Sequence, residues 1–299
     1  MTPRLGLVLP LFSGNVERVM GAAREAESLG YDGVFAFDHF FPPGAAPDRP
    51  SLEAFTTLAA VGAVTSRVAV GTLVVRAQLR PPGLLAKMAA GLDDITGGRM
   101  ILAIGTGDPI DEPEHRAFGI PTLSKAERRV HLAEVVAAVK ALFRGDAWEG
   151  GDQVPPIAGP LLPPPVRPGG PPVWIGAQAD PVVRLAGAVA DGWNGWGASP
   201  GEFARKATLV AEEAGAAGRE VESTWAGIAL VGEDEAETER LATARRERGM
   251  STDDIWIGSA ARFAEHVHAL GDAGATWVIV VAAGPTDRAA LIARSAHPA

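Results

Sequence analysis

Cysteine is missing from this chain of 299 residues. That excludes disulfides, thiolate metal sites, iron–sulfur ligation and a cysteine nucleophile, and it is compatible with a cytoplasmic setting. Lysine is nearly missing too: only Lys87, Lys125, Lys140 and Lys206 occur, and arginine supplies the remaining positive charge. The formal net charge of -9 argues against a nucleic-acid or anionic-membrane surface. No apolar run approaches the roughly 20 residues that span a bilayer. Residues 1–15 lack a basic start, an apolar run and a small-residue cleavage site, so no secretory signal is expected. His-Glu-x-x-His, Gly-x-Ser-x-Gly and Walker patterns are all absent from the sequence, which removes the commoner metalloprotease, hydrolase and NTPase readings. His266 and His268 diverge on a helix, and His115 and His131 have no companion at ligand spacing, so no metal site is expected.

What the chain does have is core-forming material, 47% hydrophobic, in a regular alternation. Short apolar runs at Leu5–Leu9, Gly33–Phe37, Val68–Val75, Met100–Ile104, Val173–Ala177, Gly192–Asn194, Trp225–Val231, Trp256–Ile257 and Trp277–Val281 read as buried parallel strands. Helical periodicity fills the intervals, with Asn15 as an expected N-cap and Asp180-Pro181 as an expected helix opening. This alternation predicts an α/β fold, a (β/α)8 TIM barrel forming a single domain over 1–299. Nine prolines between Gly145 and Pro172 forbid helix or central strand there, so about 145–172 reads as an insertion within the domain. The competing open doubly wound sheet needs a dinucleotide fingerprint. Ile104-Gly105-Thr106-Gly107-Asp108 begins like one but has Ile110 at the third required position.

Chemistry concentrates where strands end. Phe37-Asp38-His39-Phe40 places an acid and an imidazole side by side at the carboxyl end of the second strand, the edge at which α/β folds hold ligands. An imidazole there can move a proton near neutral pH. At the fourth strand, Gly105 and Gly107 allow a planar ligand to approach the backbone, and Asp108 is expected to point into the barrel mouth.

Several segments in order carry a family likeness: Phe37-Asp38-His39-Phe40, Val70–Val74 with Arg80-Pro81-Pro82, Leu92–Arg99, Ile104–Asp108, Pro172–Ala177 and Ala190-Asp191-Gly192-Trp193. Together they resemble the bacterial luciferase-like flavin and deazaflavin oxidoreductases, and most of all the branch using coenzyme F420. The resemblance implies a barrel with an insertion, a homodimer, and a flavin-type ring at the barrel mouth. It implies catalytic roles for His39 and Asp108. It places Asp38, Leu73, Val74, Gly105, Thr106 and Gly107 against the ring, with a non-proline cis peptide at Leu73-Val74. Gly176, Ala177 and Gln178 would offer backbone donors to the cofactor tail.

The resemblance leaves two cofactors open. F420 passes hydride, whereas reduced FMN supports monooxygenation with oxygen. The luciferase branch proper carries a cysteine after the fourth strand, and Gly105 stands there in this chain. No Lys or Arg follows the sixth strand before Arg205, which speaks against a sugar phosphate. Phe40, Phe41, Trp193 and Trp196 favour a small, largely apolar substrate. The expected activity is therefore hydride transfer between F420 and such a substrate. The alternatives are an FMN-dependent monooxygenase and a non-catalytic cofactor-binding barrel.

Overall fold

The computed structural model describes residues 2–43, 49–285 and 287–296. In chain order the elements are β1 (Arg4–Val8), α1 (Val16–Ser28), β2 (Gly33–Ala36), α2 (Ala54–Val64), β3 (Ala69–Thr72), β4 (Val75–Arg76), α3 (Pro82–Thr96) and β5 (Met100–Gly105). Then come α4 (Glu112–Ala117), α5 (Lys125–Arg144), β6 (Val173–Gly176), α6 (Asp180–Val189), β7 (Gly192–Trp196) and α7 (Pro200–Ala216). The chain finishes with β8 (Glu222–Gly232), α8 (Glu235–Glu247), β9 (Trp256–Ser259), α9 (Ala260–Asp272), β10 (Trp277–Ala282) and α10 (Arg288–Ala296).

All strand pairings in the sheet are parallel, and the order β10-β1-β2-β3-β5-β6-β7-β8 closes because β10 pairs with both β1 and β8. This is the eight-stranded barrel. Two strands stand off the ring: β4 pairs with β5 beyond the end of β3, and β9 pairs with the far half of β8. The run Trp256-Ile257, read as a strand, is therefore an extension above the ring. Helix boundaries follow their caps. Asn15 accepts from the Arg18 amide, Ser124 closes a full capping box with Glu127, and Asp234 accepts from Glu237. Asp180 does not cap α6; it is the first helical residue, and its carboxylate pairs with Arg205 at 2.8 Å instead.

Two separate hydrophobic layers show which side chains face inward. Phe35 of β2 and Trp277 of β10 stand on either side of β1, and Trp174 of β6 comes from across the ring, yet all three pack with centroids 5.6–6.1 Å apart. Only the barrel lumen can bring them together. This trio plugs the amino-terminal half of the barrel, and the Arg4 guanidinium lies 4.5 Å from the Trp277 ring. The space is made by small neighbours: a Cβ on Gly71 would stand 2.6 Å from Cε1 of Phe35. Arg99, in the Asp-Asp-x-x-Gly-Gly-Arg run, donates to the carbonyls of Gly62, Thr65 and Val68, tying α2 to β3. The much larger outer cluster, including Trp193, Phe203, Trp225 and Phe263, joins strands to helices. Residues 145–172 lie between α5 and β6 and contain a single antiparallel bridge, Trp148 to Ile157.

His266 of α9 has an environment with a thermodynamic consequence. Its ring lies 5.3 Å from Trp256 and 5.4 Å from Trp225, and its buried Nε2 has no hydrogen-bond partner among the described residues. Burial lowers its pKa from the ordinary 6.5 to about 4. The unfolded chain then binds more protons than the folded one as pH falls through 6.5 towards 4. Stability is therefore complete above about 6.5 and is lost on acidification. The loss between about pH 7 and about pH 5 should be about 2 kcal/mol from this group. Denaturant unfolding of His266→Phe, compared with the parent at both values, should show that much less pH dependence.

Candidate active site

Towards the carboxyl end of the barrel the inward side chains are only partly buried. Above the Phe35–Trp174–Trp277 layer, Phe37, Val74, Trp196 and Val281 pack against the inner cluster and are each only partly covered. Phe12, from the loop after β1, stacks on Phe37 at 5.9 Å. Phe37 meets Trp196 edge-on at 5.8 Å, and both Phe12 and Phe37 lie 6.2 Å from the His39 ring. The imidazole thus stands in an aromatic wall with its side chain 19% exposed.

The floor beside it comes from an interruption in the sheet. Direct pairing of β3 with β5 stops at Gly71 with Ile101 and resumes through β4 at Val75 with Ile104. Thr72 spans the break: its hydroxyl donates to the Ala103 carbonyl and accepts the Ala103 amide, both at 2.9 Å. Between these points the Leu73-Val74 peptide is cis. Val74 sits between two glycines on neighbouring strands. A Cβ on Gly105 would be 2.6 Å from Val74 Cγ2, and one on Gly176 would be 2.7 Å from Val74 Cγ1. Both glycines are thus required for this valine to lie flat across β5 and β6. Val74 thus covers two side-chain-free positions of the sheet, next to the partly buried Thr106 and Gly107.

Acids surround His39, though not the one expected. Asp108 is exposed, and its backbone amide donates to Asp111 Oδ2 at 2.7 Å. The carboxylate on the imidazole is that of Glu114, whose Oε1 lies 2.7 Å from Nδ1, with Asp111 Oδ1 at 3.7 Å. Glu114 Oε2 accepts the Phe40 amide at 2.7 Å and the Arg76 guanidinium at 2.9 Å. Burial pushes the Glu114 carboxyl up. The His39 hydrogen bond, the Phe40 amide and the charges of His39 and Arg76 outweigh that and hold it below its ordinary value. Ligand atoms of His39, Asp111 and Glu114 lie within 4.8 Å of one another, a spacing a cation could use. The Arg76 guanidinium already supplies positive charge to both acids.

Other expected site residues are placed differently. Asp38 is 2% exposed, and its two oxygens receive Arg80 at 2.7 and 3.0 Å. Arg80 also reaches Glu53 at 2.7 Å and lies over Phe55. The adjacent acid and base thus meet different partners, Arg80 for Asp38 and Glu114 for His39. Trp193 is not a pocket wall. It is wholly buried outside the ring, stacked on Phe203, and its indole N–H holds the Ala177 carbonyl at 2.9 Å. The Ala177 amide donates to Asn194, so it is not free for a cofactor tail, whereas Gln178 is exposed. Phe41 is buried, and Phe40 lies against Phe118 at 4.2 Å and Arg76 at 5.4 Å. Trp196 does line the mouth. Sequence reading missed Glu114, Arg76, Asp111 and Phe12. The three-residue spacing of Asp111 and Glu114 was the available signal, but the His39 and Arg76 partners of Glu114 lie 75 and 38 residues away.

Comparison with known proteins bears on this site. The family model for luciferase-like monooxygenases matches residues 5–287. The chain belongs to that family. An uncharacterised protein of Mycobacterium tuberculosis is 32% identical over 214 residues, 64% of this chain and 71% of that protein. The F420-dependent glucose-6-phosphate dehydrogenase of Intrasporangium calvum is 34% identical over 180 residues, 56% of this chain and 50% of its own length. The chain thus spans about half of that relative. An F420-dependent secondary alcohol dehydrogenase, solved with an F420-acetone adduct, superposes with a TM-score of 0.84 at 18% identity, covering 99% of this chain and 98% of the other. That likeness establishes the shared barrel fold.

Proposed function

We propose that this luciferase-like oxidoreductase transfers hydride between coenzyme F420 and a small, neutral, largely apolar substrate, with His39 as acid or base. The observation that carries this reading is the half-buried imidazole in an aromatic wall beside the flat floor made by Val74, Gly105 and Gly176. The packing of Val74 between Gly105 and Gly176, with no side chain on either glycine, supports the approach of a planar ring. Leu73, Val74, Gly105, Thr106 and Gly107 would hold the ring, and Gly176 and Gln178 would stand on the side of its tail. When bound, F420 supplies a deazaflavin carbon that accepts or gives hydride and reacts poorly with oxygen.

The protein's own part is to exclude water with Phe12, Phe37 and Trp196, and to move a proton at the imidazole. The three arginines nearest the mouth are all engaged. Arg76 holds Glu114, Arg80 holds Asp38 and Glu53, and Arg128 donates to the Gly107 carbonyl. These three arginines are therefore committed to protein acceptors, which supports an uncharged substrate. Asp108, exposed at the rim, stays a candidate second acid. A cytoplasmic setting belongs to the same reading; no described helix is long and apolar enough to cross a membrane.

Titration with F420 in parallel with FMN tests the cofactor. Quenching of deazaflavin fluorescence at micromolar cofactor, with no substrate-dependent oxygen uptake, is expected. Tight FMN binding with rapid oxygen consumption in the reduced state would replace this reading by the monooxygenase one.

A homodimer is part of the proposal. Leu84 and Ile95 are each half exposed on α3, and the 84/88/91/95 spacing puts Met88 and Gly91 on the same face. Leu162, 63% exposed, adjoins this face through its carbonyl, which accepts Lys87 Nζ. A Leu84→Glu/Ile95→Glu variant should elute as a monomer in size-exclusion chromatography with light scattering, where the parent elutes at twice that mass.

A further inference from the structure

Of the two carboxylates that reach the imidazole, one makes a contact of hydrogen-bonding length. We propose that Glu114 is a positioning residue: it binds the Nδ1–H of His39 and so commits Nε2 to proton transfer. This rests on the reading of His39 as acid or base given above. A carboxylate offers only acceptors, so at 2.7 Å the nitrogen facing it must carry the hydrogen. His39 Nε2 has no protein partner among the described residues and is not buried. In its neutral form the ring therefore presents its lone pair on the side away from Glu114, as a base requires.

The clamp is built to hold one orientation. Glu114 is 1% exposed, and its two oxygens take donors from consecutive residues, the side chain of His39 and the main chain of Phe40. Imidazole and backbone are thereby fixed to each other. Arg76, arriving from β4, donates to Oε2 as a third partner at 2.9 Å. One turn earlier on the same segment, Asp111 stands 3.7 Å from both His39 Nδ1 and Arg76 and accepts the Asp108 amide. The stretch from Gly107 to Glu114 thus sets the ring edge of the proposed cofactor floor and the tautomer of the imidazole together.

Glu114→Gln separates positioning from mere support. The amide has one oxygen for three donors: His39 Nδ1–H, the Phe40 N–H and Arg76. Phe40 and Arg76 cannot change role, so the oxygen stays with them. The amide NH2 then faces Nδ1, which can only accept, and the hydrogen moves to Nε2.

The test is 15N NMR of histidine-labelled protein without cofactor, with His39 assigned by its loss in His39→Gln. The parent should show the hydrogen on Nδ1 and the Gln variant should show it on Nε2. With F420 and a substrate panel, kcat of Glu114→Gln should fall at least about a hundredfold while the F420 dissociation constant stays within about threefold. Glu114→Asp, which keeps the charge, should recover part of the rate. A parent His39 carrying its hydrogen on Nε2, or a Gln variant with unchanged tautomer and rate, would overturn the assignment. Should Glu114→Gln fail to fold, the parent spectrum alone decides. Because the tautomer is read in cofactor-free protein, an error about F420 would leave this result intact.

Discussion

Replacing His39 by glutamine should lower turnover by about 10²–10⁴-fold, the range that a positioned acid or base contributes, while cofactor affinity changes only a few-fold. The split follows from position. The imidazole belongs to the wall of the mouth, 6.2 Å from both Phe12 and Phe37, whereas the flat floor is made by Val74 and its flanking glycines. Losing the ring removes the proton-transferring group and leaves the floor untouched. The fold should tolerate the change. Glu114 keeps the Arg76 guanidinium and the Phe40 amide, so no buried carboxylate is stranded. Steady-state kinetics and a fluorescence titration on the same preparation check both halves. Tight cofactor binding without turnover before and after substitution, across a broad substrate panel, would instead favour a non-catalytic binding barrel.

Asp38→Ala should act in the opposite way, on stability first. The carboxylate is buried, it receives Arg80 through two hydrogen bonds, and the Arg80 side chain is itself only 10% exposed. Removing one partner of such a pair leaves an uncompensated buried charge and costs about 3–5 kcal/mol. Glu53 remains on Arg80 at 2.7 Å, so the lower end, about 3 kcal/mol, is expected. At roughly 2–4 °C per kcal/mol for a domain of this general size, the melting temperature should drop by about 6–12 °C. Calorimetry together with urea unfolding measures it. An Asp38→Ala variant of parental stability that had lost cofactor affinity would restore Asp38 to the ring-binding role the family resemblance implied. The double variant Asp38→Leu/Arg80→Met should recover most of the loss, because apolar groups of similar volume replace buried ion pairs at little cost.

Strand and helix identity, closure into a barrel and family membership were legible in the chain itself. Their signals are local: continuous apolar runs for strands buried on both faces, capping residues such as Asn15 and Ser124, and glycines where backbone or side chain comes close. Phe37-Asp38-His39-Phe40 and Ile104–Asp108 were visible as strand-end chemistry for the same reason, since barrel topology puts every such end on one rim. What the residues around them do was not local. Asp38 and His39 are neighbours in sequence, yet one is committed to Arg80 inside the protein and the other opens to the mouth. Trp193 and Trp196 look alike in sequence, but three residues at period two put them on opposite faces of β7. Glu114 became the partner of His39, ahead of Asp108, only because a 3-10 turn at Pro109–Asp111 and the short helix after it carry that acid back over the mouth. Sequence determined which chemistries the rim could hold. Tertiary packing decided which carboxylate each cation and each imidazole would meet, because burial gives every charged group a partner from whichever element lies nearest in space.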